Sequence, residues 1–307
     1  MREQLKVIGR DTFFITAIPG SIHILELCLK FIPGDINIAI VANGLTTWEV
    51  NWLEQNLKFD HLIKINGMYS HGDVINMLVK WVESPFGILD YDCFVFNSNL
   101  LYEALKIEKH QQLNAFFSHI DKVNKIEVPS TFFMFINSPL YRKLMQEYHV
   151  DCKHKTYLEL SKNVRDKIKP IGINRRQLLE LYKNYFDTLQ LLIVLGIADG
   201  YEVNFIERFP AVFNPSKEIF HVGGISDPNS YKHLWGVRGS YLWRLALNNH
   251  IDKELISYYE SQYGRVTPDD ILDSFPNSRI KIGKDFFEFA HKLVNHTTEI
   301  SFTEYDN

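Results

Sequence analysis

Residues 88–96 of the chain read Ile-Leu-Asp-Tyr-Asp-Cys-Phe-Val-Phe, an apolar segment that two carboxylates interrupt. We predict a β-strand here, in which residues i and i+2 point to the same side, roughly 7 Å apart along the strand. Two carboxylates that face one way in apolar surroundings repel each other and lose hydration, and a divalent cation removes both penalties. Asp90 and Asp92 are therefore candidate metal ligands. The alternative is that both lie in water past the end of the strand, or that one of them caps a turn.

The segments before this one alternate between strand and helix patterns. We predict strands at residues 12–18, 36–42 and 62–65, and helices at 22–29, 47–57 and 73–82, with Ser21 as the first N-cap. Such alternation predicts a parallel sheet with helices on both faces, whose ligands lie outside the carboxyl ends of the strands. The turns at Pro19-Gly20, at Asn43-Gly44 and after Asp92 should then share one rim of the sheet.

The rest of the chain gives a more mixed pattern. We predict helices at residues 100–123, 139–148, 177–195, 240–248, 253–263 and 284–295, strands at 131–136, 201–206 and 211–213, and a loop-rich insertion at 153–176. A soft boundary near Pro228 separates a domain at 1–228 from a helical extension at 229–307. The expected fold class is α/β, with a Rossmann-like, mainly parallel sheet flanked by helices.

Composition excludes several classes of protein. The 307 residues are 46% hydrophobic and 23% charged, which suits a packed core, and the net charge of -4 argues against nucleic-acid binding. Three widely spaced cysteines without a CxxC pair, and an N-terminus without an apolar signal segment, favour a cytoplasmic protein. Fingerprints of dinucleotide-binding, P-loop, zincin and serine-hydrolase sites are absent from the sequence.

A histidine and two glycines form a second candidate site. Residues 218–224 read Glu-Ile-Phe-His-Val-Gly-Gly, so His221 ends an apolar run and Gly223 and Gly224 follow it. Paired glycines allow backbone to approach a ligand closely, and imidazole beside carboxylates suits Mn²⁺ somewhat better than Mg²⁺. The alternative is a turn histidine bonded to backbone, but together with the two aspartates we favour a metal ligand.

Two further segments carry polar groups near apolar helices. Asp187 lies inside the helix predicted at 177–195 or at the head of its very apolar part, and is a candidate to act on an acceptor hydroxyl or to bind its sugar; helix capping or an ion pair with Lys183 is the alternative. Residues 71–76 open the helix before the Asp-X-Asp segment, where a helix N-terminus favours phosphate or hydroxyl contacts. His71 and Asn76 are the candidates there, whereas Asp73 is expected only to cap the helix.

The C-terminal part contains an aromatic and basic run. Its members are His233, Trp235, Arg238, Tyr241, Trp243 and Arg244. Aromatic rings stack on sugars and lie at membrane interfaces, so contact with an acceptor glycan, or peripheral contact with the inner face of a membrane, is one interpretation. An amphipathic helix that packs on the domain is the other, and the more frequent one.

At this point the sequence resembles the GT-A glycosyltransferases. Residues 87–93 resemble the Asp-X-Asp strand of that family, residues 71–82 its nucleotide-facing helix, and residues 221–224 the metal-binding histidine near its C-terminus. The similarity extends over about residues 10–226. It implies a nucleotide-sugar-binding half at 1–99 and an acceptor half at 100–228.

The resemblance implies roles for the candidate residues. Asp92 would ligate the metal, Asp90 would contact the ribose or the metal's water shell, and His221 would complete the protein ligands. The end of the first strand, at Ala17, Ile18 and Pro19, would hold the base, and Asn43 would face the nucleotide. The remaining donor contacts are expected from His71, Asn76, Tyr91, Gly223 and Gly224.

The implied reaction is sugar transfer from a nucleotide sugar, with a UDP-sugar expected, to a glycan or glycoconjugate, assisted by Mn²⁺ or Mg²⁺. The chain has no clear Glu-Asp pair of the kind many inverting members use as base, so Asp187 is the candidate and the stereochemistry stays open. One alternative is a nucleotidyltransferase, although residues 18–21 lack its glycine-rich, basic loop. The other is a non-catalytic protein that binds nucleotide sugars or glycans.

Overall fold

A computed structural model describes residues 2–121, 125–175, 178–179, 185–210, 218–221 and 251–265. The described helices are α1 (Arg2–Lys6), α2 (Ile22–Leu29), α3 (Thr47–Asn56), α4 (His71–Trp81), α5 (Asn99–Ala104), α6 (Ser138–Tyr148), α7 (Lys162–Ile168), α8 (Gln190–Ala198) and α9 (Lys253–Tyr263). The described strands are β1 (Thr12–Ala17), β2 (Asn37–Asn43), β3 (His61–Ile65), β4 (Phe86–Leu89), β5 (Cys93–Val95), β6 (Gln111–Ile120), β7 (Glu127–Pro129), β8 (Phe133–Ile136), β9 (Lys155–Thr156), β10 (Tyr185–Phe186), β11 (Glu202–Pro210) and β12 (Ile219–His221).

One large sheet organises the described chain. Its strands lie in the order β11-β6-β8-β4-β1-β2-β3, with β7 paired to β6. The pairs β1–β2, β2–β3, β1–β4 and β6–β11 are parallel, whereas β8 runs antiparallel to both β4 and β6. This mixed α/β architecture, with a mainly parallel sheet flanked by helices, confirms the predicted fold class. Because β1 to β4 are parallel, the turns at Pro19-Gly20 and Asn43-Gly44 and the Asp-X-Asp turn share one rim, as predicted.

Two layers of core lie on the two faces of this sheet. Successive residues of a strand point to opposite faces, so Phe13 packs against Phe133 and Phe135 on one face, while Phe14 packs against Phe86 on the other. In β4, Gly87 makes room for the Phe13 ring, since a Cβ atom at this position would lie 2.0 Å from ring carbon Cδ1. Close packing of β1 against β4 therefore fixes where the Asp-X-Asp turn leaves the sheet.

Several predicted elements differ from the structure. The helix predicted at 100–123 is wrong, because only Asn99–Ala104 is helical and Gln111–Ile120 forms the strand β6 inside the sheet. The insertion predicted at 153–176 as loop-rich contains a helix at Lys162–Ile168, whose N-cap Ser161 accepts a hydrogen bond from Val164 N. In both cases sheet and core contacts override a weak local pattern.

Helix α9, the last helix in the described part of the chain, packs against the first half of the chain. Its bounds match the helix predicted at 253–263, and its buried Leu255 and Tyr259 belong to the same core as α2 and α3. The strand predicted at 211–213, the helices predicted at 240–248 and 284–295 and the aromatic and basic run at 233–244 lie outside the described residues. The domain limits 1–228 and 229–307 stay a prediction. Within the described part of the chain, none of the helices has the length and apolar character needed to cross a bilayer.

Candidate functional site

The two aspartates lie in a turn and not in a strand. β4 ends at Leu89, and Asp90 N donates a hydrogen bond to Phe132 O at 2.8 Å. Asp90 O then accepts a hydrogen bond from Cys93 N at 3.0 Å, which closes a turn before β5 begins. The continuous strand predicted at 88–96 is therefore wrong, because β5 leaves the large sheet. The carboxylates converge through this turn and not through the alternation of a strand.

β12 brings His221 to this turn. It pairs antiparallel with β5 so that His221 lies opposite Cys93, the residue after Asp92. The Nε2 atom of His221 is 3.6 Å from Asp92 Oδ1 and 3.8 Å from Asp90 Oδ2. One potential ligand atom from each of the three residues lies within 4.8 Å of the other two. The structure therefore brings together the three residues that the sequence analysis selected as metal ligands.

Aromatic packing fixes the orientation of the His221 imidazole. The ring stacks on Phe132, with 3.5 Å between centroids and an angle of 20° between the planes, and Phe117 approaches it edge-on. The buried Nδ1 atom has no hydrogen-bond partner within the described residues. Sequence reasoning missed both aromatic residues, because nothing in residues 111–120 or 131–136 shows that their rings reach a histidine far along the chain.

The site places the carboxylates of Asp90 and Asp92 close together in largely buried surroundings. Asp92 is only 7% exposed and Asp90 27% exposed at the side chain. Burial raises the pKa of Asp90 well above its ordinary value, and the neighbouring charges of Asp92 and then Asp187 raise it further. A cation bound between these carboxylates stabilises their charged forms, and so opposes the rise in the pKa of Asp90 that burial and the two neighbouring charges cause. Two carboxylates and a fixed imidazole form a donor set that suits Mn²⁺ or Mg²⁺, so these residues fit the metal that the resemblance implies.

Asp187 belongs to the same site electrostatically. Its charge raises the pKa of Asp90 and also acts on His71. It precedes α8 in a tight turn, in which Asp187 N donates to Gln190 Oε1 at 2.8 Å and Asp187 Oδ1 accepts from Thr188 N at 2.8 Å. No pattern in the sequence indicates that this residue and the Asp-X-Asp turn are neighbours.

The helix predicted at 177–195 begins later than expected. α8 starts at Gln190, because Leu189 adopts left-handed backbone geometry with φ of 66°, which a helix cannot include. Leu189 N instead donates to Cys152 O at 2.9 Å. Residues 176–177 and 180–184, with Lys183 among them, lie outside the described residues. The left-handed Leu189 fixes the turn that carries Asp187, and such strain persists only where surrounding contacts hold it.

The first turn of α4 approaches the Asp187 turn. His71 is the first residue of the helix; desolvation of the imidazole lowers its pKa, while the charges of Asp187 and Asp92 oppose that shift. A Cβ atom on Gly72 would lie 3.1 Å from Lys153 Cα and 3.3 Å from Thr188 Oγ1. The glycine therefore allows this close approach.

Capping of α4 differs from the prediction. Asp73 was expected to cap the helix, but Ser70 is the N-cap, since its Oγ atom accepts a hydrogen bond from Asp73 N at 3.1 Å. Asp73 is the third residue of the helix, where its carboxylate accepts a hydrogen bond from Ser70 and pairs with Lys153. Asp73 therefore takes part in the hydrogen bonds of the first helical turn but does not occupy the N-cap predicted for it.

The remaining candidate donor contacts occupy varied positions. Asn43 is buried at the end of β2, and its amide group exchanges two hydrogen bonds with the backbone of Tyr69, so it shapes the loop before α4. Asn76 Oδ1 accepts a hydrogen bond from Cys152 N at 3.4 Å. Tyr91 is 8% exposed and packs in the core.

The other members of this set lie at or beyond the sheet rim. Ala17 ends β1, and Ile18 and Pro19 begin the loop that leads to α2. Gly223 and Gly224 lie outside the described residues. Contact of any of these residues with a nucleotide stays a prediction.

Comparison with known proteins supports the resemblance to glycosyltransferases. Residues 3–140 match the family model of the StrH glycosyltransferase N-terminal domain. This match includes the Asp-X-Asp turn and confirms the resemblance for that part of the chain. It ends before Asp187 and His221.

One curated relative is a dTDP-dihydrostreptose–streptidine-6-phosphate dihydrostreptosyltransferase from Streptomyces griseus. It is 27% identical over 86 residues, which cover 28% of this chain and 22% of the relative. The chain therefore spans about a fifth of the length of that relative.

Similar solved structures include two glycosyltransferases. GlyE from Streptococcus pneumoniae has a TM-score of 0.42 at 11% identity, covering 85% of this chain and 65% of that one. The mannosyltransferase PcManGT from Pyrobaculum calidifontis, solved with GDP-Man and Mn²⁺, has a TM-score of 0.39 at 11% identity, covering 96% and 78%. Nucleotidyltransferases, a cytidylyltransferase from Leptospira borgpetersenii among them, occur at comparable scores.

Proposed function

We propose that the protein is a metal-dependent glycosyltransferase, which moves a sugar from a nucleoside diphosphate sugar to a hydroxyl group of a glycan or glycoconjugate. The observation that carries this proposal is the convergence of Asp90, Asp92 and His221 at the carboxyl edge of the sheet. The match of residues 3–140 to a glycosyltransferase domain supports the reaction class. A UDP-sugar is our expectation from the resemblance, and the name of the Streptomyces relative makes a TDP-sugar the first competitor.

The three proposed metal ligands are held in place by the surrounding protein. Asp92 and His221 are buried, Phe132 holds the imidazole, and Asp90 is the more exposed of the two carboxylates. Asp90 is thus suited to contact the ribose or metal-bound water as well. When bound, Mn²⁺ or Mg²⁺ would stabilise the negative charge that develops on the departing diphosphate.

Asp187 is our candidate for the acceptor side. Its backbone is fixed by Gln190 and by the left-handed Leu189, so its carboxylate is held in place before any substrate arrives. If the enzyme inverts the anomeric centre, this carboxylate would take the proton of the attacking hydroxyl, a task worth about 10²–10⁴-fold in rate. If the enzyme retains the anomeric configuration, it would bind and orient the acceptor sugar.

A nucleotidyltransferase is the competing enzyme class, since its fold and metal chemistry are related. Such enzymes cradle a triphosphate in a glycine-rich loop with a basic residue after the first strand. The loop here reads Ile18-Pro19-Gly20-Ser21 and contains neither feature. A protein that binds nucleotide sugars without turnover is the competing non-enzymatic class.

A ligand panel separates these classes. The melting temperature is measured with UDP, TDP, GDP and CDP, and with their common sugar derivatives, in MnCl₂ and in EDTA. We expect stabilisation by one nucleoside diphosphate that requires the metal, by about 2.7 kcal/mol at a hundredfold excess over Kd. Release of that diphosphate from its sugar, followed by mass spectrometry, supports transfer. Release of pyrophosphate from a nucleoside triphosphate and a sugar phosphate would identify a nucleotidyltransferase, and metal-dependent binding without any release would identify a binding protein.

A further inference from the structure

The loop between β1 and α2 is closed by its own side chain. Ser21 occupies the N-cap position predicted for it, but its hydroxyl makes no capping hydrogen bond and instead donates to Ile18 O at 2.7 Å and accepts from Ile18 N at 3.1 Å. The loop at 18–21 is therefore a compact turn at the rim of the sheet. It follows β1, whose neighbour β4 carries the Asp-X-Asp turn.

A buried carboxylate anchors this loop from α3. Glu49 is fully buried, and its Oε1 atom accepts a hydrogen bond from Gly20 N at 2.9 Å. Its Oε2 atom accepts from the backbone and the hydroxyl group of Thr46, the N-cap of α3, at 2.9 and 3.0 Å. The same side chain thus caps a helix and holds the loop.

The C-terminal helix α9 completes this network. Tyr259 is fully buried, and its hydroxyl accepts a hydrogen bond from Ile22 N at 3.2 Å and hydrogen-bonds the carboxylate of Glu49. Tyr258 stacks on Trp48 with 3.9 Å between ring centroids. Helix α9 is thus joined to the loop at 18–22 in two ways: Tyr259 binds Ile22 directly, and it reaches Gly20 through Glu49.

Two backbone amides of this region are bonded to side chains from α3 and α9, and these bonds fix the conformation of the turn. The amide group of Gly20 lies within the turn and that of Ile22 directly follows it, and each donates to a group outside the turn: Gly20 to Glu49 and Ile22 to Tyr259. Burial raises the pKa of Tyr259 well above its ordinary value, so its hydroxyl keeps its proton and its two hydrogen bonds at neutral pH. Loss of this hydroxyl leaves a buried carboxylate oxygen and a backbone amide without the partner they share.

We propose that α9 is a positioning element of the donor-binding loop, in which Tyr259, acting through Glu49 and Ile22, holds residues 18–21 in the conformation that receives the nucleotide. This inference rests on the proposed function, which assigns the nucleotide contact to Ala17, Ile18 and Pro19. It gives a segment of the C-terminal extension a role in donor affinity.

The test compares Tyr259→Phe with Tyr263→Phe. Both changes remove one hydroxyl from α9 and keep the ring. The ring of Tyr263 contacts that of Tyr259, but among the described residues the Tyr263 hydroxyl makes no hydrogen bond. Hydrogen exchange at the amides of Gly20 and Ile22 reports on the loop without any ligand. We expect exchange at least fivefold faster in Tyr259→Phe and unchanged in Tyr263→Phe.

The second readout is the Kd for the nucleoside diphosphate that the wild-type protein binds best among UDP, TDP and GDP with MnCl₂. We expect Tyr259→Phe to raise this Kd at least fivefold, while Kd for Mn²⁺ alone and kcat at saturating donor stay within twofold. A lower melting temperature with unchanged exchange at Gly20 and Ile22 and unchanged nucleotide Kd would overturn the inference. Failure of the wild-type protein to bind any of these three nucleotides or CDP would overturn the proposed function, while exchange would still decide whether α9 holds the loop.

A second variant tests the inference if Tyr259→Phe does not fold. Tyr258→Phe removes the hydroxyl that lies 2.5 Å from Thr46 Oγ1 and keeps the stack on Trp48. If Tyr259→Phe does not fold, this change is expected to accelerate exchange at Gly20 at least twofold through Thr46 and Glu49. Exchange at the wild-type rate would overturn the inference.

Discussion

The Nε2 atom of His221 lies 3.6 Å from the Oδ1 atom of Asp92, although the two residues belong to distant parts of the sequence. The antiparallel pairing of His221 with Cys93 creates this contact. Asp92 lies in the turn before β5 and His221 lies on β12, so the two candidate ligands come from separate segments and can be substituted one at a time. The candidate metal site is therefore open to separate tests of its ligands.

Asp92→Asn is expected to abolish metal-dependent donor binding while the fold survives. The change removes a buried negative charge and keeps the shape of the side chain, so we expect Kd for Mn²⁺ to rise by about a hundredfold, at the upper end of the effects known for changes around metal sites. Isothermal titration with MnCl₂ measures this. Asp166→Asn, which removes an exposed carboxylate on α7, is the matched control and should bind like wild type. Wild-type turnover of Asp92→Asn with Mn²⁺ would refute the assignment.

The metal-free protein is expected to lose stability as the pH rises above the ordinary pKa of an aspartate. The pKa of Asp90 is raised in the folded state, so the folded state holds its proton more tightly than the unfolded state. The free energy of unfolding therefore falls with rising pH across this window. Melting temperatures from pH 4 to 8 in EDTA should show this decline in the wild-type protein and a smaller one in Asp90→Asn. Identical curves for the two proteins would contradict the electrostatic account of the site.

Asp187→Asn is expected to leave donor affinity nearly intact and to lower kcat for transfer, by about 10²-fold or more if the residue is a base. Asparagine keeps the Oδ1 atom that accepts the hydrogen bond from Thr188 N, so the turn should persist. Donor titration, melting temperature and transfer rate are measured on the same preparation. A purely structural role would instead lower stability, by about 1 kcal/mol, and leave turnover of the folded fraction unchanged. That pattern would contradict a role of Asp187 in binding the acceptor or in taking its proton.

Gly87→Ala is expected to destabilise the fold strongly. A Cβ atom at this position would lie 2.0 Å from the Phe13 ring, and a forced shift between β1 and β4 costs about 3 kcal/mol, the upper end of the usual effect of overpacking. Gly34→Ala is the control, since a Cβ atom there meets nothing within 4 Å. Urea unfolding compares the two. Equal stability of both variants would contradict the packing that positions the Asp-X-Asp turn.

The sequence predicted the parallel first half of the sheet well, because each strand there is a short apolar run that ends in a turn. It failed at residues 100–123, where β6 is buried on both faces and carries no alternation that would distinguish it from a helix. The three metal-ligand candidates follow from residue type, spacing and the resemblance, but the continuous strand predicted to align Asp90 and Asp92 is interrupted by a turn in the structure. The proximity of Asp187, and the contacts of Phe132 and Tyr259, depend on tertiary packing, which no local pattern records.

We propose that Asp90, Asp92 and His221 hold a divalent cation, and metal coordination by His221 tests this most directly. Electron spin echo envelope modulation of Mn²⁺ bound to the protein without nucleotide detects nitrogen coordinated to the metal. We predict a signal from one imidazole nitrogen in the wild-type protein and in His71→Gln, and its loss in His221→Gln. A signal that persists in His221→Gln, or none in the wild-type protein with Mn²⁺ bound, would contradict the account.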